Sequence, residues 1–171
     1  MGTNLGRLLL RVTVGSIFIE HGTQKLFGWF GGHGLAAVSG MFESLGFRPG
    51  RFFASAAALS EVGGGLLMAL GFLGPVGPAL VLAVMIVAAI SVHWQNGLFA
   101  MSNGIEVPLL YATGAAVLTL TGPGGYSLDA VLGLTPLWTP ALRLSALAIG
   151  IIGGVANLAI RRAPARKTAA A

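Results

Sequence analysis

Cysteine is absent from the chain, so it forms no disulfide, carries no thiol redox chemistry of its own and offers no thiolate to a metal. Any redox role has to be borrowed. Charge is nearly as scarce: 9% of the 171 residues are Asp, Glu, Lys or Arg, whereas soluble domains carry roughly 25%. With 55% hydrophobic residues and a mean hydropathy of +0.85, that scarcity excludes an ordinary soluble domain and defines an integral membrane protein. The first apolar run lacks a small-residue cleavage site of the signal-peptide kind and is interrupted by Glu20 and Lys25, so it is read as a retained helix.

Glycine is plentiful, at 27 positions. In a membrane bundle it lets helices approach closely, because van der Waals packing there replaces the hydrophobic driving force. Gly63, Gly64 and Gly65 suit that use, and the run from Gly150 to Gly154 permits helix association, including a homo-oligomer. The net charge is +5, but four of the ten basic residues, Arg161, Arg162, Arg166 and Lys167, crowd one short tail. That is a juxtamembrane anchor at the bilayer surface, not a nucleic-acid footprint.

Hydrophobic runs of about 17 to 25 residues qualify as spans. Five are present: Leu5 to Phe27, Arg51 to Leu73, Val76 to Gln95, Ile105 to Thr121 and Leu142 to Ile160. Between the first two, Leu35, Val38, Met41, Phe42 and Leu45 recur at helical spacing, which predicts an amphipathic interfacial helix within Gly34 to Phe47. Arg143, Pro136 and Pro140 make the fifth span the weakest of the set. The expected fold is all-α: a polytopic membrane helical bundle with a four-helix core, a fifth C-terminal helix and an interfacial helix after the first span. With five spans, Lys25, Arg48, Arg51, Arg161, Arg162, Arg166 and Lys167 fall on one side and Arg7, Arg11 and Arg143 on the other, which predicts a cytoplasmic C-terminus.

Glu61 is the residue that most needs explaining. An ionisable side chain at membrane depth costs about 2.5 to 3.5 kcal/mol on insertion scales, so it faces a partner, a cavity or a ligand. Counting helical rise puts it roughly 15 Å along from Arg51, deeper than His21, Lys25, His93 and Glu106, which fall toward one end of the bundle. Glu20 and Gln24 are four apart, as are His21 and Lys25, so each pair lines up along one side of the first helix. The expected site is a polar funnel within the bundle narrowing to Glu61. Glu61 and His93 are its candidate catalytic groups; Glu20, His21, Gln24, Lys25, Trp94 and Glu106 are candidate ligand-binding residues. Simpler roles compete: Lys25 can snorkel beside Trp29, Glu106 can cap the fourth span, and an ion pair with Lys25 or a histidine can neutralise Glu61. Haem held by His21 and His93 is disfavoured, since no second histidine pair occurs, and a His/Glu metal site lacks the His-Glu-x-x-His spacing.

The chain resembles the DoxX family of small bacterial membrane proteins. The likeness runs through His21-Gly-Thr-Gln-Lys25-Leu-Phe-Gly, Gly31 to Gly34, Phe42 with Leu45-Gly46, Glu61 followed by Gly64, His93 with Asn96-Gly97, Gly104-Ile-Glu106 with Pro108-Leu-Leu, and Gly122-Pro-Gly followed by Ser127-Leu-Asp129. It implies a four-helix membrane domain over residues 1–133, beyond which lie an additional C-terminal membrane helix at 134–162 and a basic disordered tail at 163–171. It also implies kinship to the DoxD-type subunit of thiosulfate:quinone oxidoreductase, a link to oxidative stress, and a bacterial cytoplasmic (inner) membrane location. Lacking a flavin fingerprint, a cluster or a thiol, the chain is expected to be a non-catalytic or quinone-linked oxidoreductase subunit with a separate redox partner. Three alternatives separate by the space beside Glu61. A quinone site predicts a fitted apolar slot, lined by Phe18, Phe72 and Trp94. A small-solute or lipid carrier predicts a wetter cavity, and a scaffold docking redox partners predicts an ion-paired Glu61 with no room.

Overall fold

A computed structural model describes residues 1–162, so the tail at 163–171, with Arg166 and Lys167, lies outside the described residues. The ordered elements are helical: α1 (Gly2–Phe27), α2 (Gly34–Ser44), α3 (Gly50–Leu70), α4 (Val76–Ala88), α5 (Glu106–Thr121), α6 (Leu128–Val131) and α7 (Pro140–Ala159). Local chemistry sets the stops. α1 and α3 end on Gly28 and Gly71, both left-handed at φ 74° and 65°, a conformation that costs glycine nothing and donates the cap N–H back to the last turn. Pro140 does not weaken α7 as expected. It occupies the first helical position, where no N–H is needed, and the Thr139 hydroxyl accepts from Leu142 N at 3.3 Å. α4 loses its α-helical register at Ala89–His93, a π-turn, and continues as one 3₁₀ turn through Asn96.

α1, α3, α4 and α5 form the four-helix core of a polytopic membrane bundle. Its centre is filled by Val14, Phe18, Met68, Val81, Leu82, Met85, Ala115 and Leu118. α7 lies outside this core against α4 and α5, and α2 packs across the start of α3. The chain runs up and down. At one end Gly125 N donates to Asn4 and Asp129 N to Gly71 O; at the other Arg162 N donates to Gly46 O at 2.9 Å. Lys25, Arg48, Arg51, Arg161 and Arg162 thus gather at the α2 end, opposite Arg7, Arg11 and Arg143.

Three stretches are long and apolar enough to cross a membrane by length and composition: Gly50–Leu70, Val76–Asn96 and Pro140–Ala159. The five-span expectation is stricter than the other two helices allow. α5 has 16 residues, and α1, at 26, carries Arg7, Arg11, Glu20 and Lys25. Small residues close the α1–α3 contact: a Cβ on Gly15 would stand 2.6 Å from Gly65 O, and one on Gly65 would stand 2.6 Å from Gly15 O. Gly64 packs similarly against α4, but Gly63, expected to join them, has open space where a Cβ would go. α7 uses Gly150 and Gly154 against Ala79 and Ala83 of α4, which gives its glycine run an intramolecular partner.

Candidate functional site

On α3 the buried positions Ala54, Ala58, Glu61, Gly65 and Met68 recur at spacings of four and three, one continuous stripe. α1 carries a matching stripe of Arg11, Val14, Gly15, Phe18 and Gly22, and three residues beyond Gly22 stands Lys25. Packing stripe against stripe delivers Lys25 to Glu61. The ammonium Nζ lies 2.6 Å from both Oε1 and Oε2, with side-chain exposures of 23% for Lys25 and 3% for Glu61. An ammonium has three donors; two serve Glu61, and the third has no partner among the described residues.

Beside this pair is a cavity of about 490 Å³. It is not within the four-helix core, where the funnel was expected, because apolar side chains fill that space. It lies on the core's outer face, between α3, α4 and α7, with α2 closing one end. Phe42, Phe47 and Phe53 line the closed end, their rings in tilted contact with successive centroids 5.7 and 5.5 Å apart. They replace the expected trio of Phe18, Phe72 and Trp94. Phe18 is instead wholly buried, edge-on to Tyr111 at 5.4 Å, and Trp94 is 65% exposed.

The remaining candidates do not line the cavity. Glu20 is exposed on α1 and makes no side-chain hydrogen bond to a described residue. His21 Nδ1 lies 3.2 Å from Gln24 Oε1, and Gln24 Nε2 donates to Phe30 O at 3.2 Å, so these two brace the turn after α1. His93 and Glu106 belong to a separate polar knot. His93 Nδ1 is 2.8 Å from Asn103 O, Asn96 Nδ2 donates to that same carbonyl, and Glu106 Oε2 accepts from Ala100 N at 2.7 Å. Glu106 thereby ties the loop before α5 at a helix N-terminus, where a carboxylate is favoured. No group of three or more His, Cys, Asp or Glu suited to a metal occurs among the described residues.

A second buried polar cluster, at the opposite end, went unanticipated. Asp129 is wholly buried and accepts from Leu73 N at 3.0 Å, Gly74 N at 2.6 Å and Trp138 Nε1 at 2.7 Å. Arg11, 3% exposed, donates to Ala69 O and Tyr126 O. Together they fasten the α3–α4 turn to the segment between α5 and α7. Ser127-Leu-Asp129 within the family likeness was the available signal.

A helical bundle with a buried lysine–glutamate pair at membrane depth defines a polytopic membrane protein with one polar site on an apolar cavity. Residues 6–94 match the DoxX family, and the chain is 30% identical over 134 residues to the inner membrane protein YqjF of Escherichia coli (strain K12), covering 75% of this chain and 93% of that protein. No solved structure matches. The chain belongs to the DoxX family.

Proposed function

We propose that the protein is the membrane subunit of an oxidoreductase system in the bacterial inner membrane, and that it binds a quinone with its ring at Lys25 and Glu61. The observation that carries this reading is an ion pair, 3% exposed on its acid side, bordering an apolar cavity of about 490 Å³. The unused Lys25 donor suits a ring carbonyl oxygen, and Glu61, already in contact with that ammonium, is the group able to exchange a proton with the ligand. Phe42, Phe47 and Phe53 offer apolar faces to a flat ring. Electrons come from a separate partner protein, since the chain has neither cysteine nor a cofactor fingerprint of its own. A scaffold with nothing bound would leave no room beside the pair, and room is present.

A lipid carrier is the second reading, favoured by the cavity's opening onto exposed residues such as Leu80 and Ile149, though its apolar lining is drier than a carrier predicts. Mass spectrometry of quinones and lipids copurifying in native membrane particles separates the two. The expected result is a quinone retained by wild type and lost in Glu61→Gln. A phospholipid in its place supports the carrier, and no ligand in either protein refutes the proposal.

A further inference from the structure

The cavity is elongated. Its floor runs from Val76 along α4 and into the π-turn at Val92, a rise of roughly 24 Å. α3 supplies one wall from Phe53 to Glu61 and α7 the other from Ala146 to Asn157. Helix packing sets the ion pair near the middle of that length: Gly64 meets Leu80 and Val81, which puts Glu61 about level with Ala83, so a ring held at the pair leaves the stretch toward Val76 unfilled. Val76, Leu80 and Ile149 line the remainder and are 38%, 36% and 69% exposed at the bundle surface. That stretch faces hydrocarbon, not water.

The glycines of α7 divide their work along this groove. Gly150 and Gly154 meet α4, where an added Cβ would stand 2.8 Å from Ala79 O and 3.0 Å from Ala83 O. Gly153 lines the groove, and a Cβ there would meet nothing within 4 Å. Two of these glycines set the α4–α7 spacing; the third leaves space beside it.

Resting on the reading of Lys25 and Glu61 as the ring site, we infer that the groove between the pair and Val76 holds the prenyl tail of the quinone, laid along α4 and loaded sideways from the bilayer, with Ala146 setting the bulk it admits while Gly153, level with the pair, leaves room for the ring. Moving a tail from lipid into this groove gains no hydrophobic free energy, because lipid chains are as apolar as the lining. Selectivity therefore comes from shape: a tail that fits gains dispersion contacts, and one that cannot lie down holds its ring away from the pair.

The test uses the full chain in nanodiscs of synthetic phosphatidylcholine, with a long-tailed prenyl benzoquinone and the tailless compound of the same ring as probes, bound amounts being read by mass spectrometry. Wild type should retain the tailed probe over the tailless one. Ala146→Trp should cut retention of the tailed probe about tenfold, about 1.4 kcal/mol, while tailless binding changes less than about twofold. Should Ala146→Trp not fold, Leu80→Trp on the α4 floor carries the same expectation. Equal retention of the two probes by wild type, or an unchanged tailed probe in the folded variant, overturns the groove assignment. If the tailless probe is held by wild type and lost in Glu61→Gln while the tail makes no difference, the ring site stands and only the groove falls. Retention of neither probe overturns both.

Discussion

Removing Lys25 should harm the fold more than removing Glu61, and removing both should harm it less than removing Lys25 alone. The two partners are unequally buried, at 23% and 3% exposure. Lys25→Met strands a carboxylate in the α1–α3 contact, and an uncompensated buried charge costs about 3–5 kcal/mol. Glu61→Leu leaves an ammonium whose flexible stem can carry it toward the α2 end of the bundle, so its cost is nearer the roughly 1.5–3 kcal/mol of a lost charged hydrogen bond. In Lys25→Met/Glu61→Leu no charge remains to solvate, and apolar replacements of buried ion pairs are often close to neutral. The measurement is reversible unfolding of the four proteins by sodium dodecyl sulfate in mixed micelles, followed by circular dichroism. Costs that add to within about 0.5 kcal/mol, the behaviour of independent sites, would refute the pairing, and a larger loss for Glu61→Leu would refute the burial argument.

Other perturbations have distinct expected outcomes. Asp129→Asn places an amide where three donors converge on a buried acceptor; a loss of about 1–3 kcal/mol with a red shift of Trp138 emission is expected, and an unchanged melting curve would count against the clasp. Gly15→Ala should cost about 1–3 kcal/mol by forcing α1 from α3, whereas Gly63→Ala, with open space at its Cβ, should be neutral or slightly stabilising in the same unfolding assay. His93→Ala should loosen the loop before α5, seen as faster backbone hydrogen exchange over residues 97–105, while quinone retention changes less than about twofold. Loss of retention in that variant would return His93 to the site.

Much of the fold was readable because hydropathy and helical period are one-dimensional signals. The apolar runs gave the five long helices, three of them long and apolar enough to cross a membrane, and the spacing of Leu35, Val38, Met41, Phe42 and Leu45 gave α2. Ends were less readable: Pro140 looked like a breaker until its position at the start of α7 was known. Glu61 stood out as a carboxylate in an apolar run, and Lys25 follows once the α1 and α3 stripes are written side by side. His93 and Glu106 lie apart from the ion pair because counting rise fixes a residue's height in the bundle but not the direction it faces. They share an end with Lys25, yet their own loop consumes their hydrogen bonds. The cavity was not legible, since its third wall is α7 and nothing local says which side of the core that helix covers.

Burial of charge alone does not mark a working site here. Arg11 is as buried as Glu61, at 3% and 2% exposure, but the space beside Arg11 is about 10 Å³, no more than the roughly 10–15 Å³ that a single water molecule needs. Backbone carbonyls take two of the three Arg11 guanidinium nitrogens, while backbone N–H groups and an indole take the Asp129 carboxylate, so those bonds join loops to helices, and the buried Arg11 Nε, unpartnered among the described residues, has no cavity of ligand size beside it. Lys25 keeps a free donor and borders a cavity some fifty times larger, in a setting where neighbouring lipid and protein are equally apolar. Apolar contacts there cannot tell a ligand how deep to sit; a hydrogen-bonding head group can. The end of the bundle that combines a buried pair with room is therefore the one where a bound molecule acquires a fixed position, which is the first requirement of any chemistry done to it.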